Sequence, residues 1–154
     1  MRVAEALGMR ADAQKRFEQL CARAQASARY QEGEEPAEDA AALLAEADAV
    51  LGELEGLIRR INRTNAATEV EPGTTLTDAI ATRDVLRLRR RLYAGVADAA
   101  GGRFSSVRQM RSELRYLSAL SVPAMRAQAD AVAKQLRELD NRIQQANWEV
   151  DLVD

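Results

Sequence analysis

Amide, hydroxyl, carboxylate and guanidinium side chains are concentrated in two stretches of the sequence, on either side of Pro72-Gly73. Arginine can hold a carboxylate or phosphate through two parallel hydrogen bonds, and the start of a helix offers further N–H donors. These groups could therefore bind a small polar or anionic ligand. The candidate ligand-binding residues are Arg59, Asn62, Arg63, Asn65, Thr68, Thr77, Asp78, Thr82, Arg83 and Asp84.

A structural role competes with ligand binding for the same residues. Thr64 and Asn65 occupy positions of an apolar helical repeat. Asparagine at such a position often fixes the register of paired helices at some cost in stability. The glycine-rich P-loop pattern that cradles phosphate is absent from the sequence. We favour the structural role and keep the ligand site as the alternative.

The sequence contains no histidine, the residue that most often serves as general base or metal ligand near neutral pH. Ser/His/Asp and Cys/His catalysis and di-iron sites built on Glu-x-x-His are therefore excluded. The acids from Glu32 to Asp39 lack EF-hand spacing, so we predict no metal and no cofactor. The single cysteine, Cys21, is predicted to be a small inert residue beside a helix core. We do not expect an enzyme, although a histidine-free enzyme using the polar residues stays an alternative.

Charge is strongly segregated, although the formal net charge is only −2. Residues 31–58 contain nine acids and no base, whereas residues 83–115 contain nine arginines and three acids. The arginines could follow a phosphate backbone, but the acids would repel it, and aromatic residues for base stacking make up only 4%. We therefore disfavour nucleic-acid binding. We expect the acidic and arginine blocks to meet, within a subunit or across an interface.

Apolar residues recur at alternating steps of three and four, which places them on one face of a helix. This spacing predicts four helices, over about residues 2–28, 36–67, 75–100 and 121–148. The core positions expected in the second helix are Leu43, Ala47, Val50, Leu54, Leu57, Ile61 and Thr64, flanked every seventh residue by Leu44, Leu51, Ile58 and Asn65, and those in the third are Ala81, Val85, Leu88, Leu92, Gly95 and Ala99.

Turn and capping residues predict where these helices begin and end. Pro36 suits the first turn of the second helix, and Pro72-Gly73 forms the turn that follows that helix. Thr75 and Asp78 make a capping box at the start of the third helix, and Gly101-Gly102 ends it. Because the connection is short, we expect the second and third helices to form an antiparallel hairpin.

The segment from about residue 103 to 120 fits two patterns. Val107, Met110 and Leu114 have helical spacing, while polar and apolar residues from Leu114 to Val122 alternate as in a strand. Both alternatives stay open on the pattern alone.

The length of 154 residues suits one domain, and 47% apolar residues suffice for a core without disulfides. We predict a single all-α domain over residues 1–154, an antiparallel bundle of long helices with coiled-coil-like packing. Charged residues interrupt every apolar run before it reaches the length of a signal-peptide core or a membrane span. We therefore expect a cytoplasmic protein that does not bind membranes.

Several blocks of the sequence are not explained by a helical repeat. The most specific are Asn62-Arg63-Thr64-Asn65 and Leu76-Thr77-Asp78, joined by Tyr30–Pro36, Leu139–Ile143 and Asn147-Trp148. Over nearly its whole length the chain resembles the septicolysin-like family of small bacterial proteins. The family is uncharacterised, so the resemblance implies no activity. Its members are more β-branched where this chain has residues 113–122, which implies a short extended arm or hairpin there, paired with residues 28–31.

Taken together, these features predict a self-assembling helical structural or interaction protein. Long helices with alanine-rich flanks leave apolar stripes that a second subunit could cover, so a homo-oligomer is expected. A small-ligand-binding protein is the alternative.

Overall fold

The computed structural model describes residues 1–102 and 115–153, and the fold is mainly all-α, as predicted. The helices of the described residues are 24 to 28 residues long, or about 36 to 42 Å at the rise of an α-helix. The elements are α1 (Val3–Ala26), α2 (Ala40–Ala67), β1 (Glu69–Glu71), β2 (Thr74–Thr75), α3 (Leu76–Ala100) and α4 (Val122–Glu149). The chain forms two compact units, Met1–Glu69 with Gln144–Asp154, and Val70–Ile143.

The first unit is built on the antiparallel packing of α1 against α2. Leu20 and Ala24, late in α1, share a core with Leu43, Ala47 and Val50, early in α2. At the opposite end of the pair, Val3 and Ala6 pack with Ile61, late in α2. The main row of predicted core positions on the second helix, from Leu43 to Thr64, is confirmed, because all of its residues are buried or half-buried. The flanking row is wrong for Leu44 and Leu51, which are exposed.

The end of the chain closes this pair of helices. Leu152 packs into the core formed by Val3, Ala6 and Ile61. The Leu152 N–H donates to the Met1 carbonyl at 2.8 Å, and the Val153 N–H donates to the buried Thr64 hydroxyl at 3.0 Å. Thr64 in turn donates to the Arg60 carbonyl at 2.8 Å. The buried Thr64 hydroxyl thus both donates and accepts a hydrogen bond, and the bond that it accepts holds the terminal segment.

Helix starts follow the side chains that can accept hydrogen bonds from free N–H groups. Asp39 caps α2 by accepting from the N–H groups of Ala41 and Ala42 at 2.9 and 3.1 Å. The prediction that Pro36 lies in the first turn is wrong, because this cap begins the helix at Ala40. The predicted capping box at Thr75 and the helix end at Gly101 are both confirmed.

A two-stranded hairpin joins α2 to α3. Pro72-Gly73 forms its turn, as predicted, and Gly73 has φ of +79°, which suits the glycine position of a type II turn. Pairing β1 with β2 thus needs only a two-residue loop.

The short β arm expected around residues 113–122 is not observed where the chain is described. Residues 115–121 and 28–31 form no strand, and residues 103–114 lie outside the described residues. Val122 instead begins α4, because the Ser121 hydroxyl accepts the Ala124 N–H at 3.3 Å and caps the helix there.

In the second unit, α3 and α4 run antiparallel and are linked by ion pairs near both ends. Arg83 and Arg87, early in α3, lie 4.0 and 3.7 Å from the Asp140 carboxylate, late in α4. Arg126, early in α4, lies 3.4 Å from the Asp98 carboxylate, late in α3. The antiparallel hairpin expected for the second and third helices stays a prediction.

The core expected on α3 is wrong for its large apolar residues. Val85, Leu88 and Leu92 are 52%, 55% and 60% exposed. The buried side chains are Leu76, Ala79, Leu86 and Ala97. These also follow helical spacing, on the other side of the helix, and the repeat alone could not decide which face is buried.

Along the residues that the structure describes, no helix has both the length and the apolar composition needed to cross a membrane.

We expect Thr75→Ala to destabilise the protein by about 0.5–2 kcal/mol, the usual effect of losing an N-cap hydroxyl. The hydroxyl of Thr75 accepts the N–H at position 78 and starts α3. Urea denaturation followed by circular dichroism measures the change. The matched control is Thr77→Ala, an exposed threonine in the same turn, which should stay within about 0.5 kcal/mol of the native protein. Equal effects for the two variants would contradict the capping role.

Candidate functional site

Five of the predicted ligand-binding residues lie at the C-terminal end of α2, in the first unit. Arg59 pairs with Glu55 one turn earlier, with 3.4 Å between Nε and Oε1. Asn62 and Arg63 are exposed, whereas Asn65 and Thr68 are half-buried. The Thr68 N–H closes the helix by donating to the Thr64 carbonyl at 2.9 Å.

The other predicted residues lie at the start of α3, in the second unit. Most of the charged ones form hydrogen bonds or ion pairs with residues close to them in the sequence. Asp78 accepts hydrogen bonds from the Thr75 hydroxyl, at 2.6 Å, and from the Thr75 N–H, at 3.2 Å, and these bonds lower its pKa. Arg83 donates to Asp84 at 3.0 Å. Thr77 and Thr82 are exposed. Capping and ion pairing thus account for the charged members, and a ligand site stays a prediction.

Asn65 is the exception to this local pairing. Its Oδ1 is the single buried side-chain oxygen or nitrogen without a hydrogen-bond partner among the described residues. A buried carbonyl oxygen without a partner costs about 1–3 kcal/mol. The sequence placed Asn65 beside the core correctly, but burial of one particular atom becomes visible only in three dimensions.

The second unit carries an exposed apolar row on α3, which we call the α3 stripe: Val85, Leu88 and Leu92. Steps of three and four place the three side chains on one face, over two helical turns. Single exposed apolar residues are ordinary on protein surfaces, but an aligned row is the pattern of a helix that packs against a partner. Arg89 and Arg91 flank the stripe and are exposed, with no carboxylate partner among the described residues.

The first unit carries an apolar groove between α1 and α2, with a volume of about 300 Å³. Phe17, Cys21 and Ala24 line it from α1, and Leu44 and Leu51 line it from α2. Leu44 is 59% and Leu51 39% exposed, so the walls of the groove are open to solvent. Cys21 is half-buried here. We refer to this feature as the α1/α2 groove.

Acids of the acidic block pair with arginines of α1. Glu46 accepts from Arg16 at 2.7 Å, and Glu38 accepts a bidentate pair of hydrogen bonds from Arg23. Those bonds, with the attraction of the positive charge, lower the pKa of Glu38. Asp48 lines the α1/α2 groove and has no ion-pair partner within the described part of the chain.

Across residues 1–102 and 115–153, no group of three or more histidine, cysteine, aspartate or glutamate side chains is arranged to hold a metal ion.

These features define a long-helix, mainly all-α protein with apolar surfaces on both units. Residues 10–152 match the model of a family of unknown function, DUF6847, and the chain belongs to that family. It is similar to a functionally unknown conserved protein from Corynebacterium diphtheriae whose crystal structure is known, with 39% identity, a TM-score of 0.93 and 99% of each chain covered. No curated protein matches the chain. The resemblance to the septicolysin-like family stays a prediction.

We expect Asn65→Leu to raise the melting temperature by roughly 2–4 °C, the shift that about 1 kcal/mol produces in a chain of this size. The substitution removes the buried oxygen that lacks a partner. Differential scanning calorimetry gives the midpoint, and light scattering shows whether the variant populates more than one oligomeric state. Asn62→Leu, on the exposed surface one turn earlier, serves as the control and should leave the midpoint nearly unchanged. A lower midpoint for Asn65→Leu would mean that the amide makes bonds the protein needs.

We expect the Glu38 carboxylate to titrate below the ordinary glutamate pKa of about 4.3. A carboxylate with a lowered folded pKa adds stability above its unfolded pKa, and that stability is lost as pH falls through the folded value. Arg23→Gln should raise the Glu38 pKa towards its ordinary value, because the donor of the hydrogen bonds is gone. Carbon-detected NMR titration measures the pKa. Arg16→Gln, which removes the neighbouring pair with Glu46, should leave the Glu38 pKa in place.

Proposed function

We propose that the protein is a self-assembling helical structural or interaction protein of the cytoplasm, whose copies associate as a homo-oligomer through the α3 stripe. The observation that carries the proposal is the exposure of Val85, Leu88 and Leu92, each more than half open to solvent on one face of α3. The same helix has a second apolar face, which is buried.

The free energy of burial supports this role. Fully burying a valine or leucine side chain contributes about 1.5–3 kcal/mol relative to exposure. The stripe spans two helical turns, so one partner helix can cover all three side chains with coiled-coil-like packing. A structural role also agrees with the way most charged residues of the predicted polar cluster are engaged in caps and ion pairs.

A small polar or anionic ligand is the second candidate function, favoured by the buried Asn65 Oδ1. A ligand that donates a hydrogen bond to this oxygen would remove the cost of its burial. A histidine-free enzyme would use the same polar residues.

We expect the native protein to elute as a multiple of its 16.9 kDa mass in size exclusion with light scattering, and Leu88→Glu to elute at the monomer mass. Glutamate at the centre of the stripe would place a charge in the apolar contact, where burying it is costly. Circular dichroism should show unchanged helix content.

The control is Ala127→Glu, which adds the same charge at an exposed alanine of α4 and should keep the native mass. A native protein that is monomeric up to high concentration contradicts the proposal, as does a Leu88→Glu variant that keeps the oligomer mass.

A further inference from the structure

We propose that the α3 stripe of one copy docks into the α1/α2 groove of a second copy. This inference rests on the proposed function and names the surface that receives the stripe. Both surfaces are exposed in one chain and both are apolar, so each copy carries the two complementary halves of the contact.

The apolar side chains of the two surfaces match in spacing. Val85 and Leu92 are seven residues apart on α3, and Leu44 and Leu51 are seven residues apart on α2. Seven residues of helix rise about 10.5 Å, so each row covers the same length. Leu88 stands between the ends of its row, where Phe17 and Ala24 of the groove offer further apolar contact.

The charges beside the two apolar rows are opposite in sign. Asp48 lies between Leu44 and Leu51 on the same face of α2, lines the groove and has no ion-pair partner in the described part of the chain. Arg89 and Arg91 flank the α3 stripe and likewise lack a carboxylate partner among described residues. Docking the stripe in the groove brings unpaired acid and unpaired base together, which favours this orientation of the partner.

The same charges disfavour the simplest competing arrangement, in which two α3 stripes meet each other. That contact would place the exposed arginines of both copies around one apolar row. Like charges juxtaposed at an interface repel each other, so the stripe is better covered by the α1/α2 groove, which Asp48 lines. The sign of the flanking charge thus selects the receiving surface.

Disulfide cross-linking between copies tests the proposal, because the single native cysteine already lines the groove. The tagged copy carries Cys21→Ser together with Val85→Cys, Leu88→Cys or Leu92→Cys, one at a time. It is co-expressed with the untagged native chain and oxidised mildly. The only disulfide that can join a tagged to an untagged copy then links α3 to position 21.

We expect a tagged–untagged pair for at least one of the three positions, released by reductant. The matched control is Thr82→Cys with Cys21→Ser, an exposed site of α3 outside the stripe, which should form no such pair. Adding Asp48→Arg to the untagged chain should lower the yield several-fold, and adding Arg89→Glu and Arg91→Glu to the tagged chain should restore it.

The possible failures are distinguishable. Tagged copies that cross-link only with one another show stripe-to-stripe packing, which overturns the docking proposal and keeps the proposed function. An oligomer in which none of the three positions cross-links to the native chain also overturns the docking proposal and keeps the proposed function. A native protein without any oligomer overturns both.

Discussion

A long α-helix buries one stripe of apolar side chains well, and a second apolar row on the same helix stays in solvent unless another surface covers it. This constraint organises the whole protein. In the first unit, α1 and α2 satisfy it by antiparallel packing around Leu20, Leu43 and Val50, with Leu152 completing the other end. On α3 it is satisfied for one face only, because the residues that follow two separate helical repeats cannot all point to the same side.

Hydrogen bonding is arranged to spare the core from unsatisfied polar groups. Thr64 sits at a core position, yet its hydroxyl donates to Arg60 and accepts from Val153, so burial leaves it fully paired. The terminal segment is held in place by that pairing as well as by apolar contact. Asn65, one residue later, is the exception, because its buried Oδ1 has no hydrogen-bond partner among the described residues. A ligand-binding role therefore depends on this residue.

Because the family has no known function, a role for this protein has to be inferred from the chemistry of its surface. Most of the charged residues that suggested a binding site are engaged in caps and ion pairs, while large apolar side chains are exposed to solvent on both units. Such a distribution is typical of a chain whose surface is completed by another protein. In the docking that we propose, the exposed arginines and the acid beside those rows would favour one orientation of the partner.

The sequence by itself determined the helices, the Pro72-Gly73 turn and the capping box at Thr75, because these depend on residues within one or two turns of each other. It also determined which side of α2 is buried. Asp39 caps α2 and the small sheet forms at Glu69–Thr75 through equally local bonds, but the apolar repeat does not predict them. Only the tertiary structure decided that Val85, Leu88 and Leu92 are exposed. The physical reason is that α3 carries two apolar repeats of similar strength. Helical spacing shows that residues share a face, whereas burial depends on which neighbouring helix reaches that face.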